Sequence, residues 1–127
     1  MLYINEINEV FVDCDEYAVF GSGPMAIRNI RKNNDIDIIV TLEKWKQMRK
    51  THYKYLCPTK SCVRIKHMTI TPTWPGLKRK DVDKIIREAE IIQNIRFARL
   101  RHVIAYKKIL KRPKDIIDIR LINQSAK

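Results

Sequence analysis

A glycine-rich turn lies between two short apolar segments in the first third of the chain. The first segment is Tyr17–Phe20, the turn is Gly21-Ser22-Gly23-Pro24, and the second segment is DIDIIV at residues 35–40. Short apolar runs bounded by Gly and Pro are typical of buried strands, and Pro favours the first position of a helix. The pattern predicts a strand, a tight turn, a helix and a second strand. The helix carries Met25, Ala26, Ile27 and Ile30.

The middle of the chain contains another helix and two strand-like segments. Thr41 is a typical N-cap residue, and Trp45 and Met48 after it fall on one helical face. Residues 52–57 and 62–71 are strand-like, and the four residues between them suit the loop of a β-hairpin. This part of the chain is therefore predicted to form a helix followed by a hairpin.

The last third of the chain is predicted to be helical. Asp81 is expected to cap a helix with the apolar residues Val82, Ile85, Ile86, Ala89 and Ile92. A short link at Arg96 and Phe97 then leads to a helix over Leu100–Leu110. Pro113 is expected to start the final helix, whose inward residues are predicted to be Ile116, Ile117, Leu121 and Ile122.

The order of these elements predicts the fold class. The order β-α-β-α-β-β-α-α-α implies an α/β or α+β fold, a small mixed sheet flanked by helices with a helical C-terminal tail. The length of 127 residues suits one domain over residues 1–127. Hydrophobic residues make up 45% and charged residues 31%, a balance that excludes an intrinsically disordered chain.

The net charge indicates a polyanionic partner. Twenty-six Lys and Arg against 14 Asp and Glu give +12, a field that attracts RNA, DNA or nucleotides. Basic residues on the predicted helices, including Lys107 and Arg112, are interpreted as solvated helix faces. No apolar run approaches the ~18 residues of a membrane span, so no membrane partner is expected. The N-terminus lacks a secretory pattern, and three cysteines favour a reducing compartment, the cytoplasm.

The turn and the second strand together carry a chemical motif. Gly21 lets the backbone approach a phosphate closely, and Ser22 lies at the start of the predicted helix, whose N-H groups favour anions. Asp35 and Asp37 are two residues apart, so a strand would project both carboxylates to the same face. Mg²⁺ is usually held by one or two carboxylates together with phosphate oxygens. The sequence predicts a site for a metal-bound nucleoside triphosphate.

This arrangement resembles the nucleotidyltransferase superfamily, whose fold is that of DNA polymerase beta. The family motif is Gly-Ser, about ten residues, then Asp-x-Asp leading into an apolar strand. Segments near the C-terminus are similar to the helical tail of small bacterial members: Asn94-Ile-Arg-Phe, Tyr106-Lys-Lys, Arg112-Pro-Lys-Asp and Asp118-Ile. The resemblance implies transfer of a nucleoside monophosphate to a hydroxyl, with Gly21 and Ser22 at the phosphates. Asp35 and Asp37 would be catalytic and would bind Mg²⁺ or Mn²⁺.

The chain departs from the family pattern at one position. Active members carry a third carboxylate on a neighbouring strand, but the matching segment, residues 63–71, contains no Asp or Glu. The positions that align best are Thr69 and, two residues earlier, His67, which has the chemistry of a general base near neutral pH. The alternative is therefore a catalytically inactive member, a basic nucleic-acid-binding or toxin-antitoxin-type module.

The predicted hairpin also contains two cysteines and two histidines, side chains that can bind a metal ion. His52, Cys57, Cys62 and His67 are each five residues apart, which suggests zinc. With residues 58–61 as the loop, however, the cysteine pair and the histidine pair lie about 16 Å apart, too far for one ion.

The same register predicts an aromatic and basic sheet face. It places Tyr53 opposite Lys66 and Tyr55 opposite Arg64. Aromatic rings between cations can stack on bases and contact phosphates, so these residues are candidates for nucleic-acid contact. An ordinary exposed sheet face with cross-strand pairs is the other interpretation.

Overall fold

The computed structural model describes residues 1–125, which form six strands, six α-helices and one 3-10 helix. The strands are β1 (Tyr17–Phe20), β2 (Ile36–Val40), β3 (Val63–Ile65), β4 (Met68–Thr71), β5 (Glu90–Ile92) and β6 (Ile95–Phe97). The α-helices are α1 (Ile4–Val10), α2 (Gly23–Ala26), α3 (Leu42–Thr51), α4 (Arg79–Arg87), α5 (Leu100–Leu110) and α6 (Pro113–Ser125). Within these residues, no helix combines the length and the apolar character needed to cross a bilayer.

The six strands form one mixed sheet in the order β3-β4-β2-β1-β6-β5. The central pair, β1 and β2, is antiparallel. β4 pairs with β2 in parallel, and β6 pairs with β1 in parallel. Antiparallel hairpins, β3–β4 and β5–β6, form the two edges. The predicted mixed sheet with flanking helices and a helical C-terminal tail is confirmed.

Alternation along the central strands divides the core into two layers. Ile36, Ile38 and Val40 of β2 pack with residues of α1 and α3 on one face of the sheet. Ile39 of β2 and Phe20 of β1 pack with α4, α5 and α6 on the other face. Because successive side chains of a strand point to opposite faces, Asp37 shares the face of Ile39. Its carboxylate therefore points towards the α5–α6 side of the sheet.

Several local predictions are confirmed. β1 occupies the predicted residues, and α5 has the predicted bounds. The Thr41 hydroxyl accepts a hydrogen bond from the Lys44 N–H at 3.2 Å, which caps α3 as expected. Pro113 is the first residue of α6. At these positions the side-chain chemistry of a single residue sets the boundary, so the sequence predicts it well.

The predicted strand over residues 52–57 is wrong. α3 continues to Thr51, and Tyr53–Tyr55 then form the 3-10 helix, leaving only an isolated bridge between Leu56 and Val63. The hairpin is formed instead within residues 62–71, which divide into the strands β3 and β4 with Lys66 and His67 as the turn. Lys66 has a φ of 52°, a turn conformation that the alternating pattern does not reveal.

The predicted helix ending at Ile92 is also wrong beyond Arg87. Residues 90–97 form the β5–β6 hairpin, whose two turn residues, Gln93 and Asn94, have φ values of 51° and 66°. Positive φ at both central residues is the hairpin turn that matches strand twist. Asp81 lies in the third position of α4 rather than at its cap, and its carboxylate accepts the Lys78 N–H at 2.8 Å.

Candidate functional site

The predicted motif residues line one cleft on the α5–α6 side of the sheet. The cleft has a volume of about 670 Å³, which is within the range of about 300–1,000 Å³ typical of small-ligand sites. It opens where β1 ends and β2 begins. Its polar lining includes Gly21, Ser22, Asp35, Asp37, Thr69, Arg31, Lys107, Arg112, Lys114 and Asp118.

Asp37 lies directly beside the glycine turn. A Cβ atom added to Gly21 would lie 2.7 Å from Asp37 Oδ2 and 3.3 Å from Asp37 Cβ. Gly21 also has a φ of +62°, which glycine adopts without a steric penalty. Only a residue without a side chain therefore permits this contact. The structure brings the two parts of the predicted motif together.

Asp35 lies just outside the strand, since β2 begins at Ile36. It is exposed and lines the same cleft as Asp37. The pKa of the Asp37 carboxyl is raised to about 6, mainly by partial burial and also by the negative charge of Asp35, while Lys114 opposes the shift. A bound cation would relieve both effects because it stabilises two neighbouring negative charges. Carboxylate oxygens are the ligands that Mg²⁺ usually takes from a protein.

The helix after the turn is shorter than predicted. α2 is a single turn, Gly23–Ala26, because Asn29 has a φ of 60° and the Ile30 N–H donates to the Met25 carbonyl. Ser22 precedes this turn and makes no side-chain cap hydrogen bond. One turn of helix contributes little dipole. Favourable charge for an anion in this cleft therefore comes from side chains rather than from the helix.

A buried charge network, which the sequence interpretation missed, forms the opposite wall of the cleft. Asp115 is 0% exposed, Asp118 is 3% exposed and Lys107 is 8% exposed. The prediction that Lys107 is solvated is wrong. The predicted inward residues Ile116 and Ile117 are more than half exposed, although Ile122 is buried as predicted. Asp115, Asp118 and Ile122 follow the i, i+3, i+7 spacing of one helical face.

The network holds cations at the cleft. Asp118 accepts hydrogen bonds from Arg31 NH1 at 2.8 and 3.0 Å and from Lys107 Nζ at 2.8 Å. Asp115 accepts from Arg112 Nε at 2.7 Å and lies 3.6 Å from Lys107 Nζ. Buried carboxylates are stable only when they are paired. The two aspartates thus fix Arg31, Lys107 and Arg112 along the cleft that also contains Asp37.

Among residues 1–125, no third carboxylate joins Asp35 and Asp37 in a group that could hold a metal ion. Thr69 on β4 is in register with Asp37 and lines the cleft. Asp118 is engaged by Arg31 and Lys107. Over residues 1–125, no group of three or more His, Cys, Asp or Glu side chains could hold a metal ion. Metal binding here would depend on two carboxylates and on ligand oxygens.

His67 does not join the cleft residues. It lies in the β3–β4 turn, where its ring stacks on Tyr3 at 3.7 Å and its Nδ1 lies 3.0 Å from Glu6 Oε2. Both partners belong to the N-terminal segment, which packs on the opposite face of the sheet. The alternation that places Thr69 in the cleft does not extend to His67, because β4 begins at Met68.

The four candidate nucleic-acid contacts do not form the predicted sheet face. Tyr53 and Tyr55 lie on the 3-10 helix and are exposed, so the predicted cross-strand pairs do not form. Arg64 is on β3 beside Thr69, and Lys66 pairs with Glu9 at 3.1 Å.

The predicted approach of the two loop cysteines is confirmed. The Cys57 N–H donates to the Cys62 carbonyl at 3.0 Å. All three cysteines are free.

The close contact at the turn leads to a first prediction. Gly21→Ala is expected to lower the free energy of unfolding by about 2 kcal/mol, because a side chain is strained at this φ and displaces Asp37. Gly76→Ala is the control: its φ is +84°, but the nearest atoms to an added Cβ are 3.8 Å away. Chemical denaturation of both variants measures the difference. Equal destabilisation would show that the contact with Asp37 has no effect on stability.

No family model, no curated protein and no solved structure gives a significant match to this chain.

Proposed function

We propose that the protein is a metal-dependent nucleotidyltransferase that transfers a nucleoside monophosphate from a nucleoside triphosphate to a hydroxyl acceptor. One observation carries the proposal: the Asp35–Asp37 pair, the Gly21-Ser22 turn and a set of cations share one cleft. Carboxylates suit Mg²⁺ or Mn²⁺. Cations suit the triphosphate; those that line the cleft are Arg31, Lys107, Arg112 and Lys114.

In the proposed reaction, the acceptor oxygen forms a bond to the α-phosphorus and the bond from that phosphorus to the bridging oxygen breaks. Pyrophosphate leaves, and the hydroxyl proton passes to water. Asp35 and Asp37 would hold the metal, which neutralises phosphate charge as it is redistributed. Lys107 and Arg112, fixed by Asp115 and Asp118, would position the phosphates.

The second candidate is a catalytically inactive protein that binds the triphosphate, or a basic nucleic-acid-binding module of the toxin-antitoxin type. The position of Thr69 favours it, since a threonine stands in register with Asp37 where a third carboxylate would serve as base. The enzyme and the inactive triphosphate-binding protein both require an intact Asp37, whereas the nucleic-acid-binding module does not. They differ in whether a covalent product forms.

A transfer assay tests the proposal. The full chain is incubated with Mg²⁺ or Mn²⁺ and each of four α-³²P-labelled nucleoside triphosphates, with small alcohols, tRNA or protein as acceptor. The proposed enzyme labels one acceptor class and releases unlabelled pyrophosphate. A triphosphate-dependent thermal shift without a labelled product would support the inactive candidate. The absence of both would contradict the site itself.

Thr69→Asp provides a second prediction. A carboxylate in register with Asp37 supplies the missing base, so the transfer rate is expected to rise by about 100-fold. Thr71→Asp is the matched control, because Thr71 is on the same strand and face but pairs with Ile39. Initial rates measured at saturating metal and triphosphate check this. An equal effect of the two substitutions would contradict the assigned position.

The proposed compartment is the cytoplasm. Cys14, Cys57 and Cys62 are all free, and free thiols persist in a reducing environment. The net charge of +12 also supports a polyanionic partner, RNA or DNA.

A further inference from the structure

A strongly basic surface lies outside the cleft, on α3, the 3-10 helix and the loop at residues 58–61. Between Leu42 and Ile65 the chain has seven Lys and Arg but a single acidic residue, Glu43. We call the exposed cations among them, together with the two exposed tyrosines, the basic face. Its members are Lys46, Arg49, Lys50, Tyr53, Lys54, Tyr55 and Lys60; Arg64 is left out because it lies on β3 in register with Thr69 of the cleft.

The cations of the basic face lack acidic partners. Elsewhere, exposed cations such as Lys66 and Arg101 pair with Glu9 and Glu88. In the part of the chain that the structure describes, the ion pairs within 4 Å include no lysine or arginine of the basic face. Its positive charge is therefore not neutralised locally. Such a surface attracts polyanions.

Four of these cations line a groove. Lys46, Arg49, Lys50 and Lys60 surround it, with Leu56 at its base, and its volume is about 430 Å³. Cations along a groove contact successive phosphates of a backbone.

Two tyrosines of the 3-10 helix, which directly precedes the groove residue Leu56, have exposed rings. Tyr53 is 63% exposed and Tyr55 is 51% exposed, and neither belongs to the two core clusters. Exposed rings beside cations stack on unpaired bases, whereas bases in a duplex already stack on one another. The combination favours a single strand over a duplex.

We propose that the basic face binds single-stranded nucleic acid, with phosphates in the groove and bases on Tyr53 and Tyr55. The binding does not depend on the proposed transfer reaction. The loop at residues 58–61 separates the two sites: Lys60 lines the groove, while Ser61 and Cys62 line the cleft. A bound strand lies next to the cleft without occupying it.

Fluorescence anisotropy with labelled 12-residue oligo-U RNA and oligo-T DNA, without metal or triphosphate, tests the proposal. Both probes are expected to bind with a Kd of about 10⁻⁵ M at 100 mM salt. Replacement of Lys46, Arg49, Lys50 and Lys60 by glutamine is expected to weaken binding about 100-fold. It is also expected to reduce the slope of log K against log salt by about 3, since each cation contributes about 0.7 for a single strand.

The matched control removes the same charge from the opposite side of the sheet. Lys80, Lys84, Arg87 and Lys108 are exposed residues of α4 and α5, and their replacement by glutamine is expected to change the Kd less than about 3-fold because phosphates bind elsewhere. Equal losses in the two quadruple variants would overturn the proposal in favour of a general charge effect.

Tyrosine variants test the stacking. Tyr53→Ala and Tyr55→Ala are each expected to weaken binding about 10-fold, while Tyr53→Phe and Tyr55→Phe keep the wild-type Kd. Equal binding of a 12-base-pair duplex, unaffected by the alanine variants, would overturn the single-strand assignment. Binding to anionic phospholipid vesicles but to neither oligonucleotide would overturn the proposal entirely.

Discussion

Asp37→Asn is expected to abolish both nucleotidyl transfer and the metal-dependent binding of a nucleoside triphosphate. In the wild-type protein, a triphosphate concentration of 100 times Kd is expected to raise the free energy of unfolding by about 2.7 kcal/mol. This corresponds to a rise in melting temperature of about 8 °C. The asparagine keeps the size of the side chain but removes the charge beside Gly21 and Asp35. The variant should therefore show no rise with Mg²⁺ and triphosphate.

Without metal, the same substitution is expected to stabilise the protein. Burial and the charge of Asp35 raise the pKa of Asp37 from 3.8 to about 6, so the ionised form is disfavoured in the folded state. The resulting cost is absent below pH 3.8, grows as the pH rises to about 6 and is constant above that. At pH 7 the variant should be more stable by about 2 kcal/mol, after allowance for solvent screening.

Denaturation at several pH values separates this effect from others. The stability difference between Asp37→Asn and wild type should disappear as the pH falls to about 4. Asp15→Asn is the control, because Asp15 is exposed and does not line the cleft. A gain in stability that persists at pH 4 would contradict the raised pKa, and a thermal shift that survives in Asp37→Asn would contradict its role in binding.

Asp118→Asn is expected to cause the largest loss of stability, about 3 kcal/mol, with a fall in melting temperature of about 10 °C. The side chain is 3% exposed and holds Arg31 and Lys107 through charged hydrogen bonds of 2.8–3.0 Å. Removing the carboxylate charge leaves Lys107, which is itself buried, with only Asp115 at 3.6 Å. A buried cation without a full partner is costly.

Glu9→Gln is the matched control for the buried pair. Glu9 and Lys66 form an ion pair with side chains 64% and 57% exposed, so its loss should cost far less than the loss of the Asp118 carboxylate. Thermal and urea denaturation of both variants at pH 7 and low salt give the comparison. A cost for Asp118→Asn as small as that for Glu9→Gln would show that the network contributes little to stability.

Local chemistry allowed the sequence to determine much of the fold. The run Tyr17–Phe20, the Thr41 cap and the Pro113 start each depend on neighbouring residues, and the structure has them as predicted. The turn at Gly21 and the Asp-x-Asp spacing likewise predicted one site, and the structure places both in one cleft. A strand period of two places alternate side chains, such as those of Asp37 and Ile39, on one face of the sheet.

Tertiary structure decided the features that periodicity left ambiguous. In α6, the helical spacing allows either the isoleucines or the aspartates to occupy the inward face. The aspartates occupy it because they have charge partners there. Asp118 pairs with Lys107 of α5 and with Arg31, which is 87 residues away in sequence. Residues 90–97 became a hairpin beside β1, although their apolar spacing also suits a helix. The sequence determines where each charged residue lies along the chain. The tertiary structure determines which charged side chains pair, because a charged side chain is stable in the interior only when it has a partner of opposite charge.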